Sequence, residues 1–207
     1  MRKSHTAVLG TALGAAMAMP AQATDLVVKL ELPAVASGNY EKPYVAVFLE
    51  KSDDTYVRSL LLWHKNKTKR GAAQDGGAPS DRYLNELREW WRASGGGAQE
   101  SLDAITAATR GPGTHELVFS SGKAPLGNLP AGKYQLIVEV AREVKGPRGA
   151  GMGSEQAGQQ RSEGGRAANK HAVEAVRVDF DWPVTKATTV STNGKTELGA
   201  VSLTLKP

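Results

Sequence analysis

Apolar residues return at every second position in several separate stretches of this chain, and a period of two is the mark of strands. In the stretch from Leu26 to Leu32, Leu26, Val28, Leu30 and Leu32 share one side, while Lys29 and Glu31 take the other. Tyr134, Leu136, Val138 and Val140 repeat the pattern against Gln135 and Glu139. Val176, Val178, Phe180 and Trp182 do so against Arg177, Asp179 and Asp181, and Val201, Leu203 and Leu205 close the chain in the same way. Successive side chains of a strand point to opposite faces, so each stretch turns one face to a core and the other away from it. Tyr44 to Leu49 is apolar on both faces and suits a central strand. With Tyr56 to Trp63 and His115 to Phe119 the count reaches about seven strands. Turn-rich connections between them predict a mainly β fold, an antiparallel immunoglobulin-like β-sandwich.

One stretch breaks the period. From Asp81 to Arg92, the residues Leu84, Leu87 and Trp91 form a helical stripe, with Ser80 as N-cap and Gly95-Gly96-Gly97 as a stop. A helix inserted there, between the third and fourth strands, is expected to pack across one end or edge of the sandwich. Trp90 and Trp91 are adjacent and cannot both face the core, so one of them is expected to be partly exposed. Residues 65–79, 93–99 and 144–169 read as flexible insertions in a single domain covering 24–207. The last is rich in glycine and nearly devoid of apolar side chains, so it cannot bury enough surface to offset its ordering entropy.

The first 23 residues read as a secretory signal. Arg2 and Lys3 precede an apolar stretch from Thr6 to Met19, and Ala21-Gln22-Ala23 gives the small-x-small pattern that a signal peptidase cuts after. The apolar stretch is shorter than the roughly 20 residues that span a bilayer. The mature chain is therefore expected to begin at Thr24, in the periplasm, and not to span the membrane. With no cysteine, it folds without disulfides. Lys and Arg outnumber Asp and Glu by 26 to 21 overall. Much of the basic excess sits in Lys65 to Arg70 and Lys145 to Lys170, which read as solvated loops; no nucleic-acid partner is expected of an exported chain.

The usual catalytic signatures are missing: there is no phosphate-binding loop ending in Lys-Ser/Thr, no His-Glu-x-x-His and no Gly-x-Ser-x-Gly. His64, His115 and His171 show no pairing at metal-ligand spacing, so neither a metal nor an independent enzymatic activity is expected. What stands out is Asp103-Ala104-Ile105-Thr106-Ala107-Ala108-Thr109, followed by Arg110-Gly111-Pro112-Gly113. It resembles the motif Asp-x-x-Ser/Thr-Gly-Ala-Thr, at which exported flavoproteins receive FMN from a separate FMN transferase. The resemblance implies that FMN is joined through its phosphate to the Thr109 hydroxyl. Asp103, Thr106 and Ala108 would shape the segment, and Trp90 or Trp91 would stack on the flavin ring or contact a partner. Ala107 stands where the motif has Gly, a departure that matters if the backbone there needs a positive φ. The alternative is a short turn or helix start, capped by Asp103, with Thr106 bonded locally.

A second resemblance covers more of the chain. Lys42 to Glu50, Leu60 to Trp63, Leu87 to Arg92, Asp103 to Thr109, Gly113 to His115 and Leu129 to Tyr134 are similar to a family of predicted periplasmic proteins known only as a domain of unknown function (DUF 2271). It implies a compact immunoglobulin-like domain. It also implies a setting among PepSY-type membrane proteins and FMN transferases. Two functions are open on this reading. One is a periplasmic electron carrier with FMN on Thr109, which asks for Thr109 on an exposed loop. The other is a cofactor-free immunoglobulin-like module that binds a membrane or periplasmic protein, and that reading tolerates a buried Thr109.

Overall fold

A computed structural model of the protein describes residues 24–34, 41–64, 81–96, 102–144 and 170–207. The strands are β1 (Asp25–Leu32), β2 (Tyr44–Lys51), β3 (Tyr56–His64), β4 (Thr106–Ala108), β5 (Gly113–Ser120), β6 (Gly132–Val144), β7 (Lys170–Trp182), β8 (Thr188–Asn193) and β9 (Ala200–Lys206). They form two sheets, one in the order β5-β1-β9-β8 and the other in the order β4-β3-β2-β6-β7. Neighbours run antiparallel, except that β4 lies parallel to β3. The fold is mainly β, a two-sheet sandwich. Each stretch with the two-residue period is a strand, and so are the three read from their apolar content. Two strands carry no such signal. β4 has only three residues, and β8 (Thr-Thr-Val-Ser-Thr-Asn) has a single apolar side chain.

The space between the sheets is filled by the alternating residues. Leu26, Val28, Leu30, Val201, Leu203 and Leu205 from one sheet meet Val45, Val47, Leu49, Leu136, Val138, Val140, Val178 and Phe180 from the other. At about 1.5–3 kcal/mol for each large apolar side chain fully removed from water, this layer is the main source of stability. β2 is buried on both faces, because a second core lies on the outer side of the five-stranded sheet. Tyr44, Ala46, Phe48, Leu62, Ile137 and Ala141 meet Leu84, Leu87, Trp90 and Ile105 there. A carboxylate and an ion pair join the layers at the far side. Glu174 on β7 accepts from the backbone N–H groups of Lys195, Thr196, Glu197 and Leu198 in the β8–β9 connection. Arg142 Nε donates to Glu197 at 2.5 Å, with both side chains buried.

The helical region differs from its expected form in three ways. It is a 3₁₀ helix over Asp81–Glu86, followed by a short α-helix, α1 (Arg88–Ala93). It covers the outer face of the five-stranded sheet, instead of an end or edge of the sandwich. Its buried stripe is Leu84, Leu87 and Trp90, with Trp91 turned out. The physical reason is the winding: residues three apart eclipse in a 3₁₀ helix, so the buried positions keep a spacing of three into α1. The chain leaves α1 through Gly95 and Gly96, both at positive φ, with the Gly96 N–H bonded to the Trp91 carbonyl. Of the stretches read as flexible, 65–79, 97–99 and 145–169 lie outside the described residues, as do Ser80 and the signal segment 1–23. Ala93 ends α1 and Val144 ends β6.

Candidate functional site

The segment from Asp103 to Thr109 is built as one helical turn, α2 (Leu102–Ile105), running directly into β4. Asp103 lies in the backbone of α2. Ile105 anchors the turn by burying its side chain in the outer core. Thr106, Ala107 and Ala108 then pair with Leu62, Trp63 and His64, and β4 becomes the outermost strand of its sheet. Ala107 is extended strand here. Asp54 is the one non-glycine residue with positive φ among those described, so alanine in place of the motif's glycine carries no backbone strain.

Thr109 follows at the strand's end and is held on two sides. Its N–H donates to the His64 carbonyl at 3.0 Å, and its hydroxyl donates to the Pro43 carbonyl. It is 9% exposed, against the open loop position that the carrier reading asks for. The residues around it are more open: Ala104, Ala107, Ala108 and Arg110 are exposed. The Arg110 guanidinium lies 4.9 Å from the centre of the Trp63 ring, a cation–π distance. His115 meets the same ring edge-on, with centroids 5.3 Å apart, and its Nε2 lies 2.9 Å from the Gly111 carbonyl. His64 Nδ1 is buried without a hydrogen bond. Trp63, Arg110 and His115 thus form a small cluster at this end of the sheet, and Thr109 precedes Arg110 in the chain with its own polar groups bonded to the carbonyls of His64 and Pro43.

The two tryptophans of α1 part company. Trp90 is 0% exposed, and its indole N–H donates to Ser59 Oγ at 2.7 Å. It presents no face to a flavin or a partner. Trp91 is 37% exposed and packs over Gly96, flanked on the same helix by the exposed Arg88 and Arg92. Beneath α1 stands Glu139 of β6, 0% exposed, which accepts from the Glu89 N–H at 3.0 Å and the Trp90 N–H at 2.8 Å. Burial pushes its pKa above the usual carboxylate range, and the two N–H bonds act against that rise. Glu139 satisfies N–H groups that a helix start cannot bond internally, so the sheet itself caps the helix.

Two further features went unread in the sequence. Glu50 ends the otherwise apolar run of β2 and is 7% exposed. Glu174 is drawn down to about 2 by the backbone N–H groups that it clasps, which outweigh the effect of its burial. The signal for Glu50 was available: it is a charged residue at the end of a strand whose other outward positions are all apolar. Glu174 carries no such mark, because its partners come from a connection about twenty residues away. Among the described residues no three His, Asp or Glu side chains converge as a metal site.

Residues 25–152 match the model of a family described as a predicted periplasmic protein (DUF2271). The chain belongs to this family. The match takes in Trp90, Trp91 and the whole Asp103–Thr109 segment, while β7, β8 and β9 lie beyond it. No curated protein and no solved structure matches the chain. Among the described residues no helix is long and apolar enough to cross a membrane.

Proposed function

We propose that this member of the family is exported by a cleavable signal over residues 1–23 and serves as a periplasmic electron carrier, with FMN joined covalently to Thr109. The observation that carries the reading is the setting of Thr109: a hydroxyl at the end of a free-edge strand, beside small exposed residues and an arginine. The FMN transferase would bring FAD. The Thr109 oxygen would attack the FMN-side phosphorus and lose its proton, and the pyrophosphate bond would break with AMP as leaving group. Bound FMN supplies the redox chemistry. The chain's own residues do the rest. Arg110 stands next to the acceptor and can leave the Trp63 ring to pair with the phosphodiester. Ala104, Ala107 and Ala108 leave the flank open for the ring system. Trp91 is the tryptophan available for stacking or for contact with a PepSY-type membrane partner.

The Thr109 hydroxyl must first leave the Pro43 carbonyl. One neutral hydrogen bond contributes about 0.5–1.5 kcal/mol net, and a three-residue edge strand opens locally at low cost, so attachment would capture an opened state.

A second reading is favoured by that same hydrogen bond. Thr109 buried and bonded suits a cofactor-free interaction module, in which Trp91, Arg88 and Arg92 form the contact. One experiment separates the two. The mature protein is produced with and without an FMN transferase and examined by intact mass and in-gel flavin fluorescence. A mass gain of one FMN less one water, with fluorescence that disappears in Thr109→Ala, is the outcome expected of the carrier. An unmodified protein beside a transferase that labels a known substrate would overturn it in favour of the module.

A further inference from the structure

On the outer face of the five-stranded sheet, where the helical cover ends, lies a cleft of about 500 Å³ lined by Glu50, Asp54, Glu89, Arg92, Ala93 and Arg177. It is separate from the Thr109 segment, and nothing in the flavin reading uses it. Two buried glutamates share this face of the sheet, and they are treated very differently. Glu139 is enclosed, and its two oxygens each receive a backbone N–H. Glu50 is 7% exposed and has no hydrogen bond among the described residues. Arg177, the cation whose charge acts on it, is engaged with Glu89 at 2.6 Å. Burial raises the Glu50 pKa, and Asp54 and Glu89 act in the same direction against Arg177. The little surface that Glu50 keeps lies in the cleft, so a ligand seated there can supply the hydrogen-bond donors that its carboxylate lacks.

We propose that this cleft is a binding site for a primary ammonium group, with Glu50 at its floor as the acceptor and Asp54 at its rim. The charge balance favours a cation over an anion, because three carboxylates face two guanidinium groups, one of them already paired. Among the described residues no three carboxylates converge as a metal site, whereas an ammonium needs only two or three acceptors around it. The volume admits the end of a lysine side chain or a small free amine. Arg92 and Ala93 on one wall offer aliphatic surface to the stem of either. A lysine presented by a protein partner would also lie near the helix that carries Trp91.

The test is a nuclear magnetic resonance titration of the whole mature protein at neutral pH and constant ionic strength. The probes are butylammonium chloride and a capped lysine tripeptide, with sodium chloride as reference. Saturable amide shifts confined to residues 51–54, 89–93 and 177 are expected, weakened about tenfold or more in Glu50→Gln, as for loss of one hydrogen bond to a charged group. Binding of both probes identifies a site open to free amines; binding of the peptide alone identifies a site for a presented lysine. If Glu50→Gln fails to give a folded spectrum, Asp54→Asn takes its place. Asp54 is exposed, and asparagine accepts its positive φ, so the fold survives while the rim charge is lost. Shifts that do not saturate, that match sodium chloride, or that are unchanged in the folded variants would overturn the proposal.

Discussion

The two faces of the five-stranded sheet are built from opposite materials. The inner face is almost wholly aliphatic and aromatic, and it meets a layer of the same kind on the four-stranded sheet. The outer face mixes Phe48, Ile137 and Trp90 with Glu139, Ser59 and Glu50, and its cover is a few turns of helix instead of a second sheet. Apolar packing is non-directional, so the inner layer can be strong without specifying much beyond register. The outer layer is directional: Glu139 fixes where α1 begins, and Ser59 fixes where the Trp90 ring lies. Stability is thus concentrated on one side of the sheet. An exposed tryptophan, and a carboxylate with no hydrogen bond among the described residues, stand on the other.

The largest expected effects test whether the faces are also separate in folding. Leu203→Ala removes a side chain from the inner layer, and Leu87→Ala removes one from beneath the helix; both residues are fully buried. Each loss is expected to cost about 2–5 kcal/mol if the site cannot collapse. The difference lies in what is lost. Leu203→Ala should lower the global denaturation midpoint, read by strand amides in hydrogen exchange. Leu87→Ala should release residues 81–96 while β2 and β6 keep most of their protection. Equal loss of strand protection in both variants would mean that the two layers form one cooperative unit, and the comparison would fail.

The alternation of Leu, Val and charged residues made the inner layer legible, because a period of two has one structural meaning and the residues that share a face share a fate. The outer layer was legible only in outline. Glu139 was read correctly as pointing away from the inner core, but pointing away meant solvent only if nothing lay on top. The cover was visible as Leu84 and Leu87, yet its winding was not. A seven-residue spacing selected Trp91, and the 3₁₀ turn selects Trp90. The segment at Thr109 was not legible as shape. Three residues of Thr and Ala carry too little pattern to announce an edge strand, and the bond from Thr109 to Pro43 spans 66 positions of sequence. Contacts of that kind depend on how the sheets are assembled, which no local window contains.

Acid titration sharpens the comparison further, because one glutamate on each side of the assembly answers to pH with opposite sign. Glu174 is held at about 2, below the ordinary 4.5. Its carboxylate therefore stabilises the fold in full above pH 4.5, and that contribution is lost as pH falls from 4.5 through 2. Glu174→Gln should lower stability at neutral pH and flatten the decline in that acid window, measured by urea midpoints at each pH. An unaltered acid limb in the variant would mean that the clasp on residues 195–198 contributes nothing.

The smallest effect belongs to Glu139, and it should run the other way. Its pKa is raised, so the native state holds its proton more tightly than the unfolded chain does. Stability present below pH 4.5 is then lost as pH rises through the raised value. Glu139→Gln keeps one carbonyl oxygen for the N–H groups of Glu89 and Trp90 and removes the buried charge. The lost acceptor costs about 1 kcal/mol at all pH values, and the removed charge returns part of it as pH rises toward neutrality. Relative to the parent, Glu139→Gln should therefore improve with rising pH over the range where Glu174→Gln has already reached its full deficit. If both differences moved in the same direction, the carboxylate under the helix would be a favourable ion like the one in the clasp. The outer face would then owe its polar character to stability and not to the placing of α1.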